Sequence, residues 1–347
     1  MTVANRSIDQ AIEEDRMTRI ISRRRFVRIS AAAAGLGLSP SGLPARAGAE
    51  PAIWRGTVLG AVASMVIHHE DRSEAERLLS SACAQARRLE RLFSLYLEDS
   101  ALVQLNRTGI LVDPAPEMIE LLSISQHYCK LTGGLFDVTV QPLWDLYARH
   151  FSRKDADPAG PAPTAIKSAV GRVGCGRLSV RRDRIAVPRG MAITLNGIAQ
   201  GYVTDKIVDL LRSQGVGHSL VDMGESRAIG SRPDGRPWEV GVADPDVAGR
   251  TETVLPIVDR AVSTSGAYGF RFDAAGRFNH LFDPRTGGSA SHYRSVTTVS
   301  RNATAADALS TAFSLMPEDQ IRALLPHIDI DRVHLIDNEG SPSDLVM

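Results

Sequence analysis

Between residues 58 and 316 the hydrophobic period of this chain switches back and forth, at irregular intervals, between about two and about 3.6 residues. Period-two or β-branched runs predict strands at 58–69, 219–223, 238–242, 261–265, 277–282 and 295–300. Residues 177–188 read as a hairpin. Helical spacing predicts helices at 74–93, 116–131, 196–214 and 304–316. The first carries Ala75, Leu78, Leu79, Ala82, Ala86, Leu89 and Leu92 on one face. Residues 152–165, with several Pro, Ala and Asp, read as a loop and as a candidate mobile insert. Regular strand–helix–strand spacing is missing, which excludes a doubly wound sheet and predicts the α+β class. With 347 residues, 43% of them hydrophobic, the chain can bury one large domain or two intimate subdomains.

The formal net charge of +0 hides an asymmetry. Residues 1–47 hold eight Arg against four acidic residues, so the remainder carries an excess of four negative charges. No basic surface argues for nucleic acid. The basic excess belongs to an address: Ser22-Arg23-Arg24-Arg25-Phe26 has the pattern of a twin-arginine export signal. A short apolar run over 29–38 follows, then Ala45-Arg46-Ala47, the small-x-small pattern read by signal peptidase. The expected cleavage is after Ala47, giving a signal at 1–47 and a single enzyme domain at 48–347. The run is shorter than the roughly 20 apolar residues of a membrane span. The reading is a periplasmic protein with no stable membrane anchor after cleavage. Cys83, Cys129 and Cys175 lack metal-ligand spacing. They read either as three buried small side chains, the plainer reading, or as one disulfide plus a free thiol.

Four segments carry chemistry. Thr132-Gly133-Gly134-Leu135-Phe136-Asp137 pairs two glycines, which let a backbone approach a ligand, with an apolar wall and a carboxylate. The stretch from Thr194 through Asn196, Gly197 and Gln200 to Tyr202 opens a helix with small residues, a place suited to phosphate. His280 stands three residues before Asp283 ahead of a Pro-x-Thr-Gly turn, and a histidine can serve as a general base. Asp307 and Thr311 are four apart, so a helix puts both oxygens on one face. That is a plausible protein share of a Mg²⁺ shell, since the ion prefers hard oxygen ligands and keeps several waters.

In this order the segments resemble the ApbE family of FAD:protein FMN transferases. Residues 132–143 are similar to its T-G-G-x-F-D-x-T-v-x-P-L segment, and 194–202 to its D-L-G-G-I-A-K-G-Y segment. Ser263-Thr264-Ser265-Gly266 resembles its T-S-G turn, 280–287 its H-x-x-D-P-R-T-G segment, and 306–311 its A-D-x-x-x-T helix. Residues 94–107, with Tyr96, Ser100, Leu105 and Asn106, resemble a stretch ending S-x-L-x-x-L-N. The resemblance implies a T-fold-like α+β architecture of mixed or antiparallel sheets flanked by helices, with FAD held between two subdomains. It implies FAD contacts from Leu59, Tyr96, Leu135, Phe136, Asp137, Thr194, Gln200 and Phe282. It implies Mg²⁺ held by Asp307, Thr311 and the Gly197 carbonyl, and His280 as base. The implied reaction moves FMN from FAD to a Ser or Thr of a periplasmic or membrane acceptor protein and releases AMP.

Two positions depart from the pattern: Thr194 stands for Asp and Gln200 for Lys. Glu225 sits in a shortened Gly-Gly-Asp turn, Met223-Gly224-Glu225. These variants, with the export signal, resemble the NosX subgroup, which implies maturation of a flavoprotein of nitrous oxide respiration. Two other readings stay open: a non-catalytic FAD-binding accessory protein, and a pyrophosphatase giving FMN and AMP.

Overall fold

The structure, a computed structural model, describes residues 50–245, 247 and 249–347. The predicted export signal at 1–47 lies outside the described residues.

The chain opens with a hairpin of β1 (Ala52–Val58) and β2 (Ala61–His68). The strand expected at 58–69 is therefore only the second arm. Its predicted start is the turn itself, where Leu59 and Gly60 have φ of 50° and 81°. A leucine in the left-handed region is strained unless something holds it. Here its N–H donates to Glu90 Oε1 at 2.8 Å. Next come α1 (Arg72–Phe93), α2 (Ala101–Thr108), β3 (Ile110–Val112) and α3 (Pro116–Leu131). Asp71 caps α1 by accepting from the backbone N–H groups of Ser73 and Glu74. Then follow α4 (Gln141–Phe151), α5 (Pro163–Val170), β4 (Ser179–Val180) and β5 (Arg184–Ala186). The loop expected at 152–165 thus ends early, because Pro163 opens a helix as an N1 residue does.

The second half holds α6 (Ala199–Ser213), β6 (His218–Asp222), β7 (Ser226–Ile229), β8 (Trp238–Ala243), β9 (Thr251–Ile257) and β10 (Ala261–Gly266). It ends with β11 (Tyr293–Ser300), α7 (Ala303–Phe313), α8 (Glu318–Leu324), β12 (Ile330–Asp337) and β13 (Pro342–Val346). The strand expected at 277–282 does not form. That stretch makes only isolated bridges, Arg271 with Asn279 and Phe282 with Ser289. Its apolar residues face an aromatic cluster and do not alternate across a sheet.

Eight of the described strands form one antiparallel sheet in the order β1-β2-β6-β7-β10-β11-β12-β13. Period-two alternation gives it two buried faces. Met65, Ile67, Val221 and Val296 join the main core with α1, α6 and α7. Val66, Ala228, Val262 and Val299 face the other way, under Trp238, Val240 and Leu255 of the β8–β9 hairpin. A third cluster joins α4 and α5 to the 270–282 segment, with Tyr147 ringed by Phe151, Phe272, Phe278 and Phe282. These aromatic contacts fix a second layer against the main body, and the α+β expectation holds.

Cys129 and Cys175 are joined in a disulfide, with Cα atoms 6.7 Å apart. The reading of three buried small side chains survives only for Cys83, which is free and buried. Nothing in residues 46 apart in sequence announces such a pair. No described helix is long and apolar enough to cross a membrane.

Candidate active site

A cleft opens between the sheet-and-helix body and the aromatic layer.

One corner is made by two helices. Gly201 on α6 and Ala303 at the start of α7 touch backbone to backbone: a Cβ on Gly201 would lie 2.2 Å from the Ala303 oxygen. Asn302 Oδ1 caps α7 by accepting the Ala305 N–H at 2.7 Å. Asp205, reaching across from α6, accepts the Ala303 and Thr304 N–H groups at 2.8 Å each. Arg227 holds that carboxylate at 2.6 Å. The positive end of α7 is thus satisfied internally. One turn on, Asp307 and Thr311 share a face of the helix, as their spacing predicts.

Asp307 is 3% exposed. Its Oδ2 accepts the Gly201 N–H at 3.0 Å, and its other oxygen takes no hydrogen bond from the described residues. Burial is the main cause that pushes its pKa up to about 7. Thr311 Oγ1 lies 3.3 Å from Ser265 Oγ, at the end of β10. A Cβ on Gly197 would lie 2.9 Å from that same hydroxyl. Asp307, Thr311 and Gly197 are therefore brought together. Glu225 joins them, lying beside the Ser263 hydroxyl and the Thr264 N–H. Burial first, and Asp307 second, push its carboxyl well above the usual range. The described lining residues include no Lys or Arg, so two crowded carboxylates lack a protein countercharge. Glu225 was legible only as a turn residue; its role in the corner was not.

The opposite wall is apolar. Leu135 and Phe136 are 4% and 3% exposed and line the cleft with Leu59 and Phe282. Tyr96 stands at the rim, its hydroxyl 3.5 Å from Asn196 Nδ2. Burial raises its pKa. Thr194 and Gln200 also line the cleft, and the Gln200 amide lies across Gly224, where φ of 108° requires a glycine. Trp144 and Phe270 complete the wall, with ring centroids 6.1 Å apart. Sequence reasoning singled out neither, because residues 141–151 and 270 lie outside the elements predicted from the sequence.

Asp137 lies in this wall, but its carboxylate serves the protein. Oδ1 accepts from the Thr139 N–H at 2.8 Å and the Thr139 hydroxyl at 2.6 Å. Oδ2 accepts the Cys175 N–H at 2.8 Å.

His280 faces the cleft from the 270–282 segment, with Nδ1 3.3 Å from the Phe270 carbonyl oxygen. Desolvation drives its pKa down to about 4, outweighing that bond. The ring is therefore neutral at pH 7 and can accept a proton.

A family model described as the ApbE family matches residues 59–333. The FAD:protein FMN transferase of Klebsiella pneumoniae (strain 342) is 27% identical over 305 residues, which covers 83% of this chain and 82% of that protein. The one from Treponema pallidum (strain Nichols) is 30% identical over 277 residues, covering 73% of this chain and 75% of that protein. Among solved structures, the ApbE protein of Thermotoga maritima MSB8 superposes with a TM-score of 0.75 at 27% identity, over 85% of this chain and 96% of that one. The flavin transferase ApbE of Vibrio cholerae shares the fold, with a TM-score of 0.73 at 24% identity, over 86% and 97%. The match spans the cleft, both of its walls and the α6–α7 corner, and on it this chain belongs to the ApbE family.

Proposed function

We propose that this chain is a Mg²⁺-dependent FAD:protein FMN transferase acting in the periplasm. The observation that carries the reading is the α6–α7 corner. A carboxylate with one oxygen free of the described residues, a threonine hydroxyl and a backbone approach at Gly197 converge beside a second carboxylate, with no Lys or Arg among the described lining residues. That donor set is all oxygen, and burial holds both carboxyls above their usual range, so a hard divalent cation would be what lets them ionise. Asp307, Thr311 and the Gly197 carbonyl would hold it, with Glu225 adjacent. When bound, Mg²⁺ supplies charge neutralisation at a pyrophosphate.

The chain's own residues do the rest. The apolar wall of Leu59, Leu135, Phe136 and Phe282 suits a flavin ring and excludes water. Tyr96, Thr194 and Gln200 offer polar contacts along the same cleft. A serine or threonine hydroxyl of the acceptor attacks the phosphorus on the FMN side. The new P–O bond forms as the pyrophosphate bond breaks, AMP leaves, and neutral His280 takes the hydroxyl proton. Catalysis rests on positioning and charge, as is usual at phosphorus.

The twin-arginine pattern supports export, and the Thr194, Gln200 and Glu225 variants support a role in maturing a flavoprotein of nitrous oxide respiration. The experiment is intact-mass spectrometry of an acceptor domain bearing a Ser/Thr-Gly-Ala-Ser/Thr segment, incubated with the chain, FAD and Mg²⁺. The expected result is an acceptor heavier by FMN minus water, with AMP released. Asp307→Ala should stay folded and lose transfer by about 100-fold or more. Free FMN with an unmodified acceptor would mean a pyrophosphatase. Tightly bound, intact FAD would mean a carrier.

A further inference from the structure

We infer that the Cys129–Cys175 disulfide is a positioning device for the cleft, closing a clasp that fixes the Leu135–Phe136 wall; this rests on the FAD reading above. The two ends of the clasp come from separate segments of the chain. Cys129 lies in α3, and its carbonyl oxygen accepts the Gly134 N–H at 2.8 Å. Cys175 lies beyond α5 in the 175–177 turn, where its carbonyl oxygen accepts from Gln126 Nε2 of α3 at 3.3 Å. Its N–H donates to Asp137 Oδ2 at 2.8 Å. Asp137 Oδ1 holds both donors of Thr139. The Thr139 hydroxyl oxygen in turn accepts the Gly174 N–H at 2.7 Å. A closed ring results: Cys129 to Cys175 by the covalent bond, Cys175 to Asp137 by a hydrogen bond, and Asp137 back to Cys129 along the chain, with Thr139 bonded to Gly174 beside it.

Leu135 and Phe136 sit inside that ring, on a turn whose two glycines have φ of 60° and 85°. Such a turn has little rigidity of its own. Phe136 gains one local tether, its N–H to Thr132 Oγ1 at 2.9 Å. The span from Leu135 to Thr139 has no helix or strand of its own; Leu135, Phe136 and Val138 pack into the main core, the Val138 carbonyl oxygen accepts the Thr194 N–H at 2.8 Å, and the clasp adds the tether at Asp137 and Thr139. Breaking the disulfide leaves the 174–175 turn tied to α3 by hydrogen bonds only, so the donors to Asp137 and Thr139 loosen and the wall then samples conformations unfit for a flavin. Affinity falls by the fraction of time the wall is in place. A disulfide persists in an oxidising compartment, so for an exported chain the clasp closes after export.

Reduction by a phosphine tests this. Two electrons pass to the S–S bond, two protons yield thiols on Cys129 and Cys175, and the phosphine becomes its oxide with oxygen from water. FAD binding is measured by flavin fluorescence on the oxidised chain, the reduced chain, and the double variant Cys129→Ser with Cys175→Ser. The control is Cys83→Ala, which leaves the clasp intact. Hydrogen exchange at residues 133–139 and 173–177 is followed without FAD. The expected result is an apparent Kd about tenfold weaker on reduction, a raised KM for FAD with kcat nearly unchanged, and faster exchange confined to those two segments. Reduction in place keeps the test valid if the double variant does not fold. Equal Kd and equal exchange in both states, with only a lower melting temperature, would reduce the bond to a plain cross-link and overturn the inference. If oxidised protein binds no FAD, the flavin reading fails, and the exchange result alone still decides the clasp.

Discussion

The cleft has two sides built on different principles. The α6–α7 corner is set by close packing: Gly201 lets two helix backbones touch, and Asp307 and Thr311 ride on a helix buried along most of its length. The Leu135–Thr139 wall has no regular element under it. It is set by core packing of Leu135, Phe136 and Val138, by side chain–backbone hydrogen bonds and by one covalent bond. Each side holds a buried aspartate whose pKa burial has raised. Asp137 has three donors; Asp307 has one. The first is finished as a structural group. The second is left with spare acceptor capacity and no countercharge. A buried polar group is costly when unsatisfied, so the fold tolerates at Asp307 a cost it avoids at Asp137. That asymmetry is why the ligand role is proposed for Asp307 and not for Asp137.

The largest expected effect breaks the packed side. Gly201→Ala drives a methyl into the Ala303 carbonyl, and neither backbone can yield without parting the helices. It should cost about 3 kcal/mol and weaken Mg²⁺ binding, read by chemical denaturation and by calorimetric titration. A tolerated alanine would mean the crossing is loose.

A matched pair sharpens the contrast. Asp137→Asn replaces an acceptor by an amide facing donors, and should destabilise by about 2 kcal/mol. Asp307→Asn removes an uncompensated buried charge, and should leave metal-free stability unchanged or raise it by about 1 kcal/mol. Thermal melts of the two variants without metal decide it. Equal losses would erase the distinction drawn here.

The smallest effect is a near-absence of one. With saturating Mg²⁺ and FAD, transfer should change less than about twofold between pH 7 and pH 5 on account of His280, because its pKa lies near 4. A histidine at its ordinary value would lose most of its neutral form over that range. The sign for stability is opposite to that of a paired histidine. The folded pKa lies below the unfolded one, so its contribution is full above about 6.5 and is lost as pH falls through about 4. An acid limb that His280→Gln leaves unchanged would point to another group.

Much of the frame was legible. The helix expected at 116–131 matches α3, and 304–316 overlaps α7 closely, because each carries a 3.6-residue apolar face and a clear end signal. Residues 261–265 and 295–300 read as strands for their β-branched Val and Thr residues. Strand β7 was missed because all four of its residues are buried, so no alternation exists to be read. Helix α4 was missed because Val138, Thr139 and Val140 favour a strand, and Pro142 looks like a breaker when it is in fact near a helix start. Among site residues, Asp307 and Thr311 share a helix face as their spacing implied and Gly197 lies beside Thr311 as the resemblance implied, whereas Trp144, Phe270 and the structural use of Asp137 were hidden.

The sequence by itself determined the α+β class, the family resemblance and the residues able to bind a cation or accept a proton, since these depend on residue type and short-range spacing. Only the tertiary structure decided that Asp137 is filled by three donors while Asp307 takes one among the described residues, that Glu225 joins the corner, and that Cys129 pairs with Cys175. Each of those depends on how many donors, charges or sulfurs arrive from elsewhere in the chain, and that number is fixed by packing.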